Sequence, residues 1–171
     1  MASVRRWAFY CALLAAPLPA LGTVLLDWGV DELARRSDLI VIGTVESKNT
    51  VAVDRTLMTD TRVRVERTLA GEPTQIVTVR QLGGQLGKRI VDLPGDAVLE
   101  TGRKYLLFTA KHDGHTYLVG MALGALRVEN KSLTQTISVP ILSREGTMRE
   151  ERAPRTTNIR AIERAILGVK K

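Results

Sequence analysis

A chain of 171 residues is long enough to bury one substantial core and favours a single domain. Its one cysteine, Cys11, falls near the start, so beyond it neither a disulfide scaffold nor thiol chemistry is available. The net charge of +7 is uneven: residues 140–171 carry eight basic and four acidic side chains, residues 23–139 fifteen and fourteen, which argues against a nucleic-acid surface on the body of the fold.

Residues 1–22, "MASVRRWAFYCALLAAPLPALG", have the layout of a secretory signal peptide. Arg5 and Arg6 precede a short apolar run, and small residues follow, with cleavage expected after Ala20 or Gly22. The run is shorter than the roughly 20 residues that span a bilayer, so no transmembrane anchor is expected. The expected destination is the periplasm or the outside.

"DWGVDELARRSD" then puts Val30, Leu33 and Ala34 on one face of a short helix, with Asp27 placed to cap it. "DLIVIGTVES" (38–47) is almost continuously apolar, as in a strand buried on both faces. "TRVRVERTL" (61–69) alternates, turning Thr61, Val63, Val65 and Leu69 one way and Arg62, Arg64 and Glu66 the other. "QIVTVRQL" (75–82) follows the "AGEP" turn, with Val77 and Val79 inward and Arg80 outward. After the glycine-rich "GGQLG" come a short "RIVDL" strand and a meander of three strands, 104–110, 116–122 and 124–130. Residues 140–156 are polar and unpatterned and read as a linker; residues 157–171 form an amphipathic helix, with Ile159, Ile162 and Ile166 on the docking face, Thr157 or Asn158 to cap it and Gly168 to stop it. The pattern predicts an all-β domain over residues 23–139, an antiparallel OB-like closed barrel of about six strands with a short helix before it and a helix after it.

Reaction chemistry is scarce. His112 and His115 are the only histidines; with Asp113 they could begin a metal site, but zinc needs three or four ligands. Asp113-Gly114 between two apolar strands reads better as a hairpin turn. A metal-dependent enzyme at His112, Asp113 and His115 stays the alternative from another class. Gly83, Gly84, Gln85 and Gly87 lack the one–three–six glycine spacing of a dinucleotide loop and read as a bulge or wide turn able to contact a partner. Arg62, Arg64 and Arg80 share the outward face of two neighbouring strands and form a candidate basic strip, although Glu66 interrupts it. No aromatic residue is interleaved, which leaves an envelope oligonucleotide-binding barrel as a further alternative with weak support. Asp92 and Asp96 flank a Pro-Gly turn and have no partner base. No catalytic residue, metal or cofactor is expected.

"DELARRSDLIVIGTVES", "VRVERTLAGEP", "IVTVRQLGGQLG" and "LETGRKYLLFTA" with "YLVGMALGALRV" resemble a group of small exported bacterial proteins. That group has an OB-type barrel like the netrin-like domains of tissue inhibitors of metalloproteinases. The resemblance covers roughly residues 31–128 and implies the barrel fold. It implies no inhibitory residue: the inhibitors clasp a protease zinc through an N-terminal cysteine, which a chain cleaved near Gly22 would not have. The function expected is a non-enzymatic, exported binding module for a protein partner, engaged through residues 83–87 or a barrel end.

Overall fold

The computed structural model describes residues 24–143, 145–150 and 154–170; segment 1–22, expected from the sequence to be a signal peptide, lies outside them. Its elements run β1 (Leu25–Leu26), α1 (Val30–Arg36), β2 (Leu39–Val53), β3 (Thr56–Ala70), β4 (Ile76–Leu82), β5 (Gly84–Leu86), β6 (Arg89–Val91), β7 (Lys104–His112) and β8 (His115–Leu118). A 3-10 turn (Met121–Gly124), β9 (Ala125–Glu129), β10 (Ser132–Gln135), β11 (Ile141–Leu142), β12 (Met148–Arg149), β13 (Arg155–Asn158) and α2 (Ile159–Val169) complete the chain. The fold is mostly strand, as the period-two patterning predicts.

The principal sheet is eight-stranded, in the order β13-β10-β9-β7-β2-β3-β4-β8, and β8 pairs with β7 as well. It is mixed rather than purely antiparallel, since β4 and β8 run parallel. A second parallel pair, β1 with β11, belongs to a small separate sheet. Both are corrections to the expected antiparallel arrangement of about six strands. Both parallel pairs join segments far apart in sequence, and local patterning carries no signal for such contacts.

β2 explains how one sheet serves two apolar clusters. Its even residues Ile40 and Ile42 pack with Leu106, Phe108, Leu33, Ala34, Ile162 and Ile166 beneath the helices. Its odd residues Leu39, Val41 and Val45 turn the other way, to Val63, Val77, Val79, Leu99 and Leu107. The unbroken apolar run is therefore required by burial on both faces. Register shifts within the β2–β3 pairing, the last between Val45 and Ser47, bend the long hairpin.

α1 is capped by Gly29 without any side-chain bond, not by Asp27 as the sequence suggested. Asp27 instead receives Arg149 Nη2 at 2.5 Å and Arg155 Nη1 at 3.1 Å. Those arginines come from the stretch read as a linker. Residues 140–156 in fact include β11, β12 and the start of β13, with Ile141 fully buried. α2 begins where Asn158 Oδ1 accepts the Arg160 amide at 2.9 Å. Ile162 and Ile166 dock as their spacing implies, Arg67 bonds Glu163 at 2.8 Å, and Lys170 Nζ donates to the Ser37 carbonyl at 2.6 Å. The expected strand 116–122 stops at Leu118, because Gly120 takes a left-handed φ of 70° beneath Trp28 and Leu33.

The strap between β6 and β7 closes over the second cluster through Leu99, which is fully buried. Tyr105 Oη holds the strap by accepting the Glu100 amide at 3.0 Å and donating to the Val98 carbonyl at 3.2 Å. Burial pushes the Asp96 carboxyl above its ordinary value of 3.8, against the lowering effect of the Ala97 amide and of Gln81. A carboxyl whose folded pKa is raised keeps its proton longer when folded, so stability falls as pH rises through that window and stays lower above it. Asp96→Asn keeps an acceptor for the Ala97 amide and removes the half-buried charge. It should raise Tm at pH 7, and the gain should vanish below about pH 3, where both states are protonated; thermal melts at the two pH values measure this.

Candidate functional site

The hairpin turn at residues 112–115 forms as the Asp-Gly signal requires. Asp113 and Gly114 take φ of 47° and 77°, and His112 pairs directly with His115. His112 lies 3.2 Å from Asp113 with both side chains exposed. Among the described residues, no group of three or more His, Cys, Asp or Glu is placed to hold a metal.

His115 has a second role. Its Nε2 lies 2.8 Å from Arg80 Nη1, while Arg80 Nε and Nη2 donate to Asp60 Oδ1 and Oδ2 at 2.7 and 2.6 Å. A guanidinium can only donate, so in this bond Nε2 is the acceptor. The two-pronged Arg80 bond holds the Asp60 carboxyl below its ordinary range, against a smaller opposing effect of burial. Tyr117 meets the His115 ring edge-on with centroids 6.4 Å apart. Asp60, Arg80 and His115 lie on a cleft of about 620 Å³, which Asp38, Leu39, Glu72, Ile76, Thr78 and Lys111 also line.

The three arginines proposed as a strip are thus separated by their partners. Arg62 and Arg64 both bond Glu46, at 3.2 and 3.1 Å, and remain exposed. Glu66 pairs with Lys104 and accepts from Thr44, so this face is a run of compensated charges. Arg80 alone enters a cleft. Sequence reading missed Asp60, because its position opposite Arg80 follows from the β3–β4 register. The signal was present: an acid and an arginine on the outward faces of consecutive strands are a candidate cross-strand pair.

The glycine-rich stretch forms a hairpin, with Gly84 opposite Val91 and Leu86 opposite Arg89. Gly83 donates to the Leu57 carbonyl at 2.7 Å, and its own carbonyl accepts Thr59 Oγ1 at 2.8 Å. A Cβ on Gly83 would lie 2.6 Å from the Val91 carbonyl oxygen; one on Gly84 would collide with Thr59 Oγ1 and sit 2.8 Å from Thr50 Oγ1. These glycines are therefore spent on seating the hairpin against β2 and β3. Gly87 makes the turn with φ 61°, and Gln85 Nε2 bonds the Gly87 carbonyl at 3.3 Å. What the hairpin shows to solvent is apolar: Ile90 is 70% exposed, and Leu86, Val91 and the preceding Leu82 are also exposed.

No protein-family model matches the chain, and no curated protein matches its sequence.

Proposed function

We propose that this chain is a non-enzymatic, exported binding module that takes a protein partner on the hairpin of β5 and β6, Gly84–Val91. The observation that carries the reading is Ile90, most of its surface in water, on a hairpin whose backbone the buried contacts of Gly83 and Gly84 hold in place. A preorganised loop bearing apolar side chains costs little ordering entropy on binding, which suits protein recognition. The fold in this reading is an OB-type barrel of the netrin-like kind. In its support, the pairings β7–β2, β2–β3, β3–β4, β4–β8 and β8–β7 follow one another in a cycle. OB barrels commonly bind through loops at their ends.

A photo-crosslinking residue at position 90, with position 167 on α2 as control, tests this in an exporting bacterium. The expected result is one protein adduct specific to position 90. That protein, purified, should bind Ile90→Asp about tenfold or more weakly than the native chain, a cost within the range for truncating an apolar anchor. Equal affinity, or no adduct specific to position 90, would remove the hairpin from the account.

A further inference from the structure

β4 pairs with β3 along its whole length, from Arg64 opposite Ile76 to Met58 opposite Leu82. On its other side it meets β8 through one residue pair, Val79 with Thr116. The Val65 amide donates to the Gln75 carbonyl at 2.8 Å, which sets the phase: Gln75, Val77 and Val79 turn their backbone groups to β3. Ile76 and Thr78 turn theirs the opposite way. There the chain that would continue β8 backwards has already left at Gly114 to join β7, and the 620 Å³ cleft stands in its place.

The amides of Ile76 and Thr78 have no partner among the described residues, and the Ile76 carbonyl accepts only the Thr74 hydroxyl, at 2.9 Å. Two donors facing the same way two residues apart match the carbonyl spacing of another strand, a pattern that a compact ligand does not reproduce. Exposed edges are usually blocked by proline, lysine or a bulge, and none lies within Ile76–Thr78. The lining also has a sign. Arg80 is committed to Asp60 and His115, whereas Asp38 and Glu72 have no ion pair among the described residues and face one such cation, Lys111.

We propose that the start of β4 is a strand-addition site, at which an extended segment of a partner protein, carrying a lysine or arginine, pairs with the Ile76 and Thr78 amides inside the cleft. The half-buried Ile76 supplies apolar surface for one side chain of that segment, and Asp38 and Glu72 attract its basic residue. From Ile76 to Thr78 the strand offers about 7 Å, enough for about three residues of an added strand, because the parallel bridge of Val79 to Thr116 takes up the Thr78 carbonyl and the Arg80 amide. This proposal stands on the cleft and does not need the hairpin of β5 and β6.

The probe is a phage-displayed library of random octapeptides selected on the full chain, with binding of the selected peptide followed by fluorescence anisotropy. N-methylation at each peptide position in turn leaves the protein untouched, so folding does not confuse the result. Strand addition predicts one sensitive position: about tenfold weaker binding where the peptide amide meets the Ile76 carbonyl, and near-native binding at the positions on either side. Selected peptides should be enriched in Lys or Arg, and Glu72→Gln should weaken binding more at low salt than at high. Thr78→Pro, which deletes one cleft-facing amide at a free edge, should abolish binding, and Thr78→Ala should not. Ile90→Asp should leave the affinity unchanged. Selection of no peptide, or uniform tolerance of N-methylation, would overturn the proposal. So would loss of binding in Ile90→Asp, an outcome that would instead favour the hairpin surface.

Discussion

Replacing Phe108 with alanine is expected to cost about 3–5 kcal/mol, the range for emptying a large buried aromatic site. Phe108 is fully buried on β7, opposite Ile40, and packs in the cluster that also holds Leu33, Ala34, Ile162 and Ile166. β2 and β9 flank β7 on either side, so the sheet itself cannot close on the void. Domains of this size have about 5–15 kcal/mol in total, so much of the margin would go. Urea titration should show the midpoint falling with little change in slope. A loss under about 1 kcal/mol would mean that α1 and α2 do not seal this cluster.

Gly71→Ala should be nearly as damaging, for a reason unrelated to apolar burial. Gly71 has φ 91°, which L side chains rarely adopt, and a Cβ there would collide with the Asp38 carbonyl oxygen and approach Leu39 Cα to 3.0 Å. Backbone strain and overpacking together come to about 2–5 kcal/mol. Asp38 and Leu39 line the cleft, so the collision also reaches the proposed peptide site. Denaturant midpoints for Gly71→Ala and for Gly146→Ala, whose φ of 79° is similar but whose Cβ would meet nothing within 4 Å, separate the two effects. Equal losses in the two variants would show that the approach to Asp38 is immaterial.

Where one segment's own pattern decides its structure, the sequence was a good guide. The alternation of Thr61, Val63 and Val65 placed one face of β3 correctly, and the apolar run from Leu39 to Ile42 announced a strand covered on both sides. Asp113-Gly114 announced its turn, and Ile162 with Ile166 announced a docking helix. What stayed hidden depends on which distant segments meet. Asp60 joins Arg80 only through strand register, and β4 meets β8 across an intervening hairpin and strap. Two-residue strands such as β11 and β12 are too short to show any period, so their segment reads as polar linker. Arg149 lies 122 residues from its partner Asp27, beyond the reach of any local rule.

That distance bears on how the molecule comes into being. Residues 141–142 and 159–170 cover residues 25–37, through β11 on β1, α2 against α1, and Lys170 on Ser37. A nascent chain emerging from the ribosome therefore presents Leu33, Ala34 and Ile40 long before the segments that shield them exist. Such late closure over long sequence separations makes for slow maturation, with the apolar cluster left open until the last helix has been made.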